Sequence, residues 1–236
     1  MSSPIGRFSS AIISENNRGL VAVIPDIKRI SPKDGDLLQG RDPVQMAQHF
    51  VRCGAPALSV VTEGERFGGS PQLLFAIAQA AAVPVLRKDF IIREDQLSET
   101  VDLGATAVLL ICAMTDENAL CMLYEKSIQL GLEPFVEVHT AKEMEVAIKL
   151  DARLVGINNR DIVLFERDDG GPSRTAALAS HAPVGALLVS ESGIVSPDDA
   201  KLAATAGAHA LLVGTALWKA RDTGDMYRSL RIERRI

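Results

Sequence analysis

Two rhythms of apolar residues alternate along most of this chain. Short, nearly unbroken apolar runs are followed by longer stretches in which apolar positions recur every third or fourth residue. The first rhythm suits strands buried on both faces, and the second suits helices with one buried stripe. Strands are expected at 21–28, 57–61, 83–87, 106–111, 133–138, 154–157, 186–189 and 210–213. Helices are expected at 43–53, 71–81, 94–103, 116–130, 141–150, 173–179, 197–206 and 224–230. Asp42-Pro43 is a helix start, and Gly54, Gly104, Gly131 and Gly207 fall just past helix ends, where a left-handed residue closes the last turn. Pro25 lies inside the first run and predicts a bulge or bend, since proline donates nothing to a ladder.

Eight strand–helix units in this length predict the α/β class and a (β/α)8 TIM barrel, one domain over 21–236. Residues 1–20 read as a short N-terminal extension whose amphipathic piece at 8–13 could cover the bottom of the barrel. An open doubly wound sheet is the structural rival. It usually has fewer strands and a glycine-rich phosphate fingerprint after the first, which this chain lacks.

Composition narrows the function. Of 236 residues, 47% are hydrophobic and 23% charged, and the net charge is −5. An acidic chain of this kind is a poor nucleic-acid binder, so an anionic ligand must be held by a local group of cations. Cys53, Cys112 and Cys121 have no paired or metal-type spacing and read as reduced core thiols. There is no secretory pattern over 1–20 and no apolar run long enough to span a bilayer, so a cytoplasmic protein is expected.

In a barrel the strand C-termini converge on one mouth. Here they carry Asp26 and Lys28, Lys88, Glu137, Asn158 and Arg160, and Glu191 with Ser192. Asp26 and Lys28 are two residues apart and so share a face. Each of these could singly be a solvated loop residue, the commoner fate of a charge. Two lysines, an arginine and three carboxylates at one mouth instead suit acid–base chemistry, which needs neighbouring groups with separated pKa values. The last two units add Ser192-Gly193 and Gly214-Thr215, with a short helix expected from Thr215, at the loops where barrels commonly hold phosphate. His49, His139, His181 and His209 share no metal-site spacing, and His139 reads as merely following Glu137-Val138.

These segments together resemble the indole-3-glycerol phosphate synthase family. The matching stretches are Asp26-Ile27-Lys28-Arg29-Ile30-Ser31-Pro32, Phe67-Gly68-Gly69-Ser70, Leu86-Arg87-Lys88-Asp89-Phe90, Val136-Glu137-Val138-His139, Gly156-Ile157-Asn158-Asn159-Arg160-Asp161, Ser190-Glu191-Ser192-Gly193-Ile194 and Val213-Gly214-Thr215-Ala216-Leu217. The resemblance implies a cofactor-free enzyme acting on a small phosphorylated substrate; a monomer or weak homodimer is expected, and the histidine spacing, the charge and the short apolar runs leave no metal, nucleic acid or membrane expected. That substrate, 1-(o-carboxyphenylamino)-1-deoxyribulose 5-phosphate, would close a ring and lose CO2 and water to give indole-3-glycerol phosphate. By position, the resemblance makes Lys88 the general acid of ring closure and Glu137 the acid–base partner in dehydration. Lys28 and Arg160 would receive the ring carboxylate, with Asn158 and Glu191 near the sugar hydroxyls. Ser31, Ser192, Gly193, Gly214 and Thr215 would surround the phosphate, and Phe67 and Phe90 would wall the aromatic ring.

The chain departs from the family at several points. Asp26 stands where the family uses glutamate, a retreat of about 1.5 Å if the backbone does not move. Lys33 adds a cation to the first loop, the stretch 165–172 is unusually rich in glycine, and the N-terminal extension is short. Three readings follow: the synthase itself, a paralogue running the same cyclisation on a modified substrate, and a non-catalytic barrel that binds a sugar phosphate. Retention of Lys88, Glu137 and Lys28 speaks against the last, because a binding module needs no proton-transfer pair.

Overall fold

The computed structural model describes residues 6–160 and 171–234. Eight parallel strands close into a barrel: β1 Ala22–Ile27, β2 Leu58–Val61, β3 Val85–Lys88, β4 Ala107–Ile111, β5 Glu133–Val138, β6 Leu154–Asn158, β7 Leu187–Glu191 and β8 Ala210–Val213. Each pairs with the next, and β8 returns to β1 with Ala22 opposite Ala210.

The two-residue period of a strand sorts side chains between the inside of the barrel and the helices around it. Along β1, Ala22 and Ile24 belong to the inner cluster while Val23 and Ile27 pack against the helices. Leu86, Leu109, Phe135, Leu154, Val189 and Leu212 point inward from other strands, and their neighbours Val85, Val108, Val136, Val155, Leu188 and Leu211 point outward. Two residues beyond an inward apolar side chain, the same column reaches the mouth. Ile24 leads to Asp26, Leu86 to Lys88, Phe135 to Glu137, and Val189 to Glu191.

Helices α1 Arg7–Asn17, α2 Pro43–Arg52, α3 Pro71–Ala80, α4 Glu94–Asp102, α5 Glu117–Gln129, α6 Ala141–Lys149, α7 Ser173–Leu178, α8 Pro197–Thr205, α9 Thr215–Lys219 and α10 Thr223–Ser229 complete the described chain. Several of their starts are set by side-chain caps: Asp42 accepts from Gln45 N, Ser70 from Leu73 N, Asp116 from Ala119 N and Ser196 from Asp199 N. The glycines expected to close helices do so with positive φ at 54, 104, 131 and 207. A small antiparallel pair, Ile30–Ser31 with Gly35–Asp36, follows β1.

Two expectations need correction. Pro25 lies in unbroken register with Val213, and pairing to β2 begins at the next residue, Asp26, so no bulge forms there. The three cysteines are free, as expected, but only half-buried: Cys53 and Cys112 pack against the edge of the core, and Cys121 lies along α5. Residues 165–170 of the glycine-rich stretch fall outside the described residues. No helix among those described is long and apolar enough to cross a membrane.

The bottom of the barrel is closed by α1. Phe8 and Ile12 are fully buried and join the inner cluster. What fixes the helix there is Glu133, the first residue of β5, whose carboxylate accepts from Phe8 N at 2.6 Å and Ser9 N at 3.0 Å. A carboxylate at a helix N-terminus meets both free N–H groups and the positive end of the dipole. Gly6 has no Cβ because one would lie 2.3 Å from that carboxylate. Replacing Glu133 with alanine is therefore expected to cost about 1–2 kcal/mol of stability, read as a lower urea midpoint, with turnover largely kept. An unmoved midpoint would show that the cap contributes nothing.

Candidate active site

At the mouth, Lys88 Nζ stands 3.4 Å from Glu137 Oε2 and 3.2 Å from Glu191 Oε2. Both carboxylates are fully buried, while the lysine side chain keeps 12% exposure toward the opening. Room for the second carboxylate comes from Gly156: a Cβ there would sit 2.4 Å from Glu191 Oε1 and 2.3 Å from the Phe135 ring. The register of β5 and β6 sets Gly156 level with Glu137, so the missing side chain opens space beside it.

The two carboxyls are pushed apart in acidity. Burial alone would raise Glu137, but the Lys88 ammonium and the His139 ring outweigh it and hold this carboxyl well below the usual carboxylate range. Glu191 is pushed up to about 8, first by burial and then by the charge on Glu137. Of the two, Glu191 thus has the stronger hold on a proton and Glu137 the weaker, with the Lys88 amine beside both. That is the division of labour a proton-transfer site requires.

Two cavities open at this point. The first is lined by Asp26, Lys28, Phe67, Lys88 and Phe90 among others. Lys28 Nζ lies 5.4 Å from the Phe67 ring centroid, so a cation and an aromatic wall come together. The second is lined by Arg160, Ser192, Gly193, Gly214 and Thr215 among others. Asp26, Lys28 and Lys88 line both, and so stand at the junction.

Asp26 is held by Ser59, whose Oγ donates to Asp26 Oδ1 at 2.7 Å, as expected of residues opposite each other in register. Gly214 is needed for a different reason than a turn: its φ is −111°, and a Cβ would press on Asp26 Cβ and Oδ2 at 3.3 Å. Ser192 and Gly193 both have positive φ, which costs energy at the serine. Asn159 pins that turn, with Nδ2 3.0 Å from Ser190 Oγ, Glu191 O and Ser192 O, and with Oδ1 accepting from Thr175. Ser31 turns into its own loop, donating to Asp34 Oδ2 at 3.2 Å, and lines neither cavity. Asn158 is fully buried, and its Oδ1 accepts from Arg160 N at 3.0 Å.

Sequence reasoning thus reached every residue of the Lys88 cluster except one. His139 Nε2 lies 3.3 Å from Glu137 Oε1, where the sequence suggested only a bystander. Ser59, inside β2, also went unnoticed, and Asn159, though part of a matching segment, was given no role. Register with Asp26 and the place beside Asn158 are what tie them to the site. Among the described residues no group of His, Cys, Asp and Glu is arranged to hold a metal ion.

Comparison with known proteins adds a separate line. A family model described as indole-3-glycerol phosphate synthase matches residues 1–230. The chain is 42% identical over 214 residues to an indole-3-glycerol phosphate synthase of Carboxydothermus hydrogenoformans, covering 91% of this chain and 80% of that protein. It is 41% identical over 204 residues to one of Pyrococcus furiosus, covering 86% and 89%. A third, from Streptococcus sanguinis, is 38% identical over 220 residues, covering 93% and 85%.

Proposed function

The chain belongs to the indole-3-glycerol phosphate synthase family, and from that premise we propose how its cleft performs the reaction. It is a carboxy-lyase that converts 1-(o-carboxyphenylamino)-1-deoxyribulose 5-phosphate to indole-3-glycerol phosphate, CO2 and water. The comparisons favour neither the modified-substrate paralogue nor the non-catalytic barrel. The observation that carries the residue assignment is the Lys88 amine within 3.4 Å of two buried carboxylates whose acidities differ.

Ring closure joins the aryl carbon bearing the carboxylate to the ketone carbon, and negative charge grows on the ketone oxygen. Lys88 stabilises that charge and protonates it. Lys28 and Arg160, which line one cavity together, receive the ring carboxylate until CO2 leaves. Glu137 takes the proton released as the new hydroxyl departs as water, and Glu191 supplies the proton to that hydroxyl, because Lys88 has already given up its own in ring closure. Phe67 and Phe90 wall the ring. Ser192, Gly193, Gly214 and Thr215 anchor the phosphate, so that binding energy far from the reacting carbons orients them. Asn158 and Glu191 stand toward the sugar hydroxyls, and Ser31 contributes by shaping its loop. The same reading takes the enzyme to work without a cofactor on this small phosphorylated substrate, in the cytoplasm, as a monomer or weak homodimer and away from nucleic acid and membrane.

Incubation with the carboxyphenylamino-deoxyribulose phosphate tests the reading. Growth of indole fluorescence is the expected result, and silence together with tight product binding would sink it. Asp26→Glu probes the departure from the family. The added methylene, about 1.5 Å, restores the family's reach. A rise in kcat/KM is expected, whereas a fall would mean that the Ser59–Asp26 pair is fitted to aspartate.

A further inference from the structure

The first residues after β5 carry a second charged pair behind the reacting one. His139 keeps only 8% of its side chain exposed, with Nε2 3.3 Å from Glu137 Oε1 and Nδ1 3.2 Å from Glu143 Oε2. Its backbone N–H also goes to Glu143 Oε2, at 2.7 Å. Glu143 is fixed in turn by the start of α6: Thr140 Oγ1 donates to Glu143 Oε1 at 3.1 Å and accepts from Glu143 N at 3.2 Å. Thr140 and Glu143 together cap the helix, and capping asks nothing of an imidazole ring. Yet the ring lies against Glu137, with Nε2 at ion-pair distance from Oε1 and without an aligned hydrogen bond between the two atoms. A ring with a carboxylate oxygen within 3.3 Å of each nitrogen carries a proton on both, since a neutral ring would turn a lone pair toward one of them.

Resting on the proposed roles of Lys88 and Glu137, we propose that His139, held by the helix-capping carboxylate of Glu143, is a positioning residue that fixes the direction of the Glu137 carboxylate and supplies a second cation beside it. The groups facing Glu137 are Lys88 from β3, Glu191 from β7, Asn158 from β6 and His139, and those facing the ring on its other side are Glu143 and the thiol of Cys112. Without the imidazolium, Lys88 alone faces two buried carboxylates. The ring stays charged for its own reason: burial opposes it, but Glu137 and Glu143 push His139 up to about 10.

His139→Gln replaces the charged donor with a neutral one, and His139→Leu removes the donor altogether. Both should lower kcat, by about 10- to 100-fold with the larger loss in His139→Leu, and leave KM within about threefold. Glu137 would then protonate more readily, so the acidic limb of the kcat profile should move to higher pH by about one unit. Glu143→Gln, which spares the ring, should shift that limb in the same direction by less, and serves if either His139 variant fails to fold. Carbon-13 NMR of labelled glutamate carboxyls follows the Glu137 titration with no substrate present. An unmoved Glu137 titration in the His139 variants overturns the positioning role, whereas a wild-type chain that never turns over the substrate overturns the functional reading instead.

Discussion

Lys88→Ala should lower kcat by about 10³-fold or more, with the affinity for indole-3-glycerol phosphate held within about threefold. Two effects combine. The substrate oxygen loses the ammonium that meets its growing charge, and Glu137 and Glu191 lose the cation 3.2–3.4 Å away that offsets their burial. Two buried carboxylates left with only His139 for compensation would hold their protons to higher pH, so Glu137 would lose its charge as well. The phosphate anchor lies on other elements, the turns after β7 and β8, and should be untouched. Rapid-quench or fluorescence measurement of a single turnover, set beside product titration, separates the two quantities. Equal loss of binding and turnover would show that the lysine holds the substrate and does not act on its chemistry.

Glu137→Gln is the second large effect, a loss of about 10²- to 10⁴-fold in kcat, because an amide of the same shape accepts no proton. It carries a pH signature. Burial and the charge of Glu137 together raise Glu191 to about 8, so in the wild type the proton on Glu191 is lost, and with it the resting arrangement, as pH rises through that value. Removing the Glu137 charge lets Glu191 ionise sooner. The alkaline limb of the residual activity should then fall at lower pH than in the wild type. A variant with wild-type kcat, or with its alkaline limb moved upward, would contradict the shared-proton picture.

Much of this was legible in the sequence, for a physical reason. Hydrophobic rhythm is a local property, and a parallel barrel is built by repeating one local unit, so strands such as Glu133–Val138 and Ala210–Val213 end where the apolar runs end. The even spacing that puts Ile24, Asp26 and Lys28 on one face also delivers charges to the mouth. What could not be read is what register decides. That Ser59 meets Asp26, or that Gly156 makes room for Glu191, depends on which residue of one strand stands level with which residue of another. His139 was missed although spacing offered it: it stands two residues beyond Glu137, as Lys28 does beyond Asp26, and Glu143 follows four residues later. Ser31 shows the reverse case, since its motif pointed to a ligand while its hydroxyl closes a turn with Asp34.

The anchoring of the first helix bears on the order in which the molecule is made. Phe8 waits for Glu133, 125 residues downstream, Asn16 for the carbonyl of His209, and Glu15 for Arg231. A chain still emerging from the ribosome therefore carries two greasy side chains, Phe8 and Ile12, with nowhere to put them until β5 and the later strands have been made. Shelter by a chaperone at the exit tunnel would matter most for that leading segment, and a release-arrested chain ending before Glu133 should leave it open to protease.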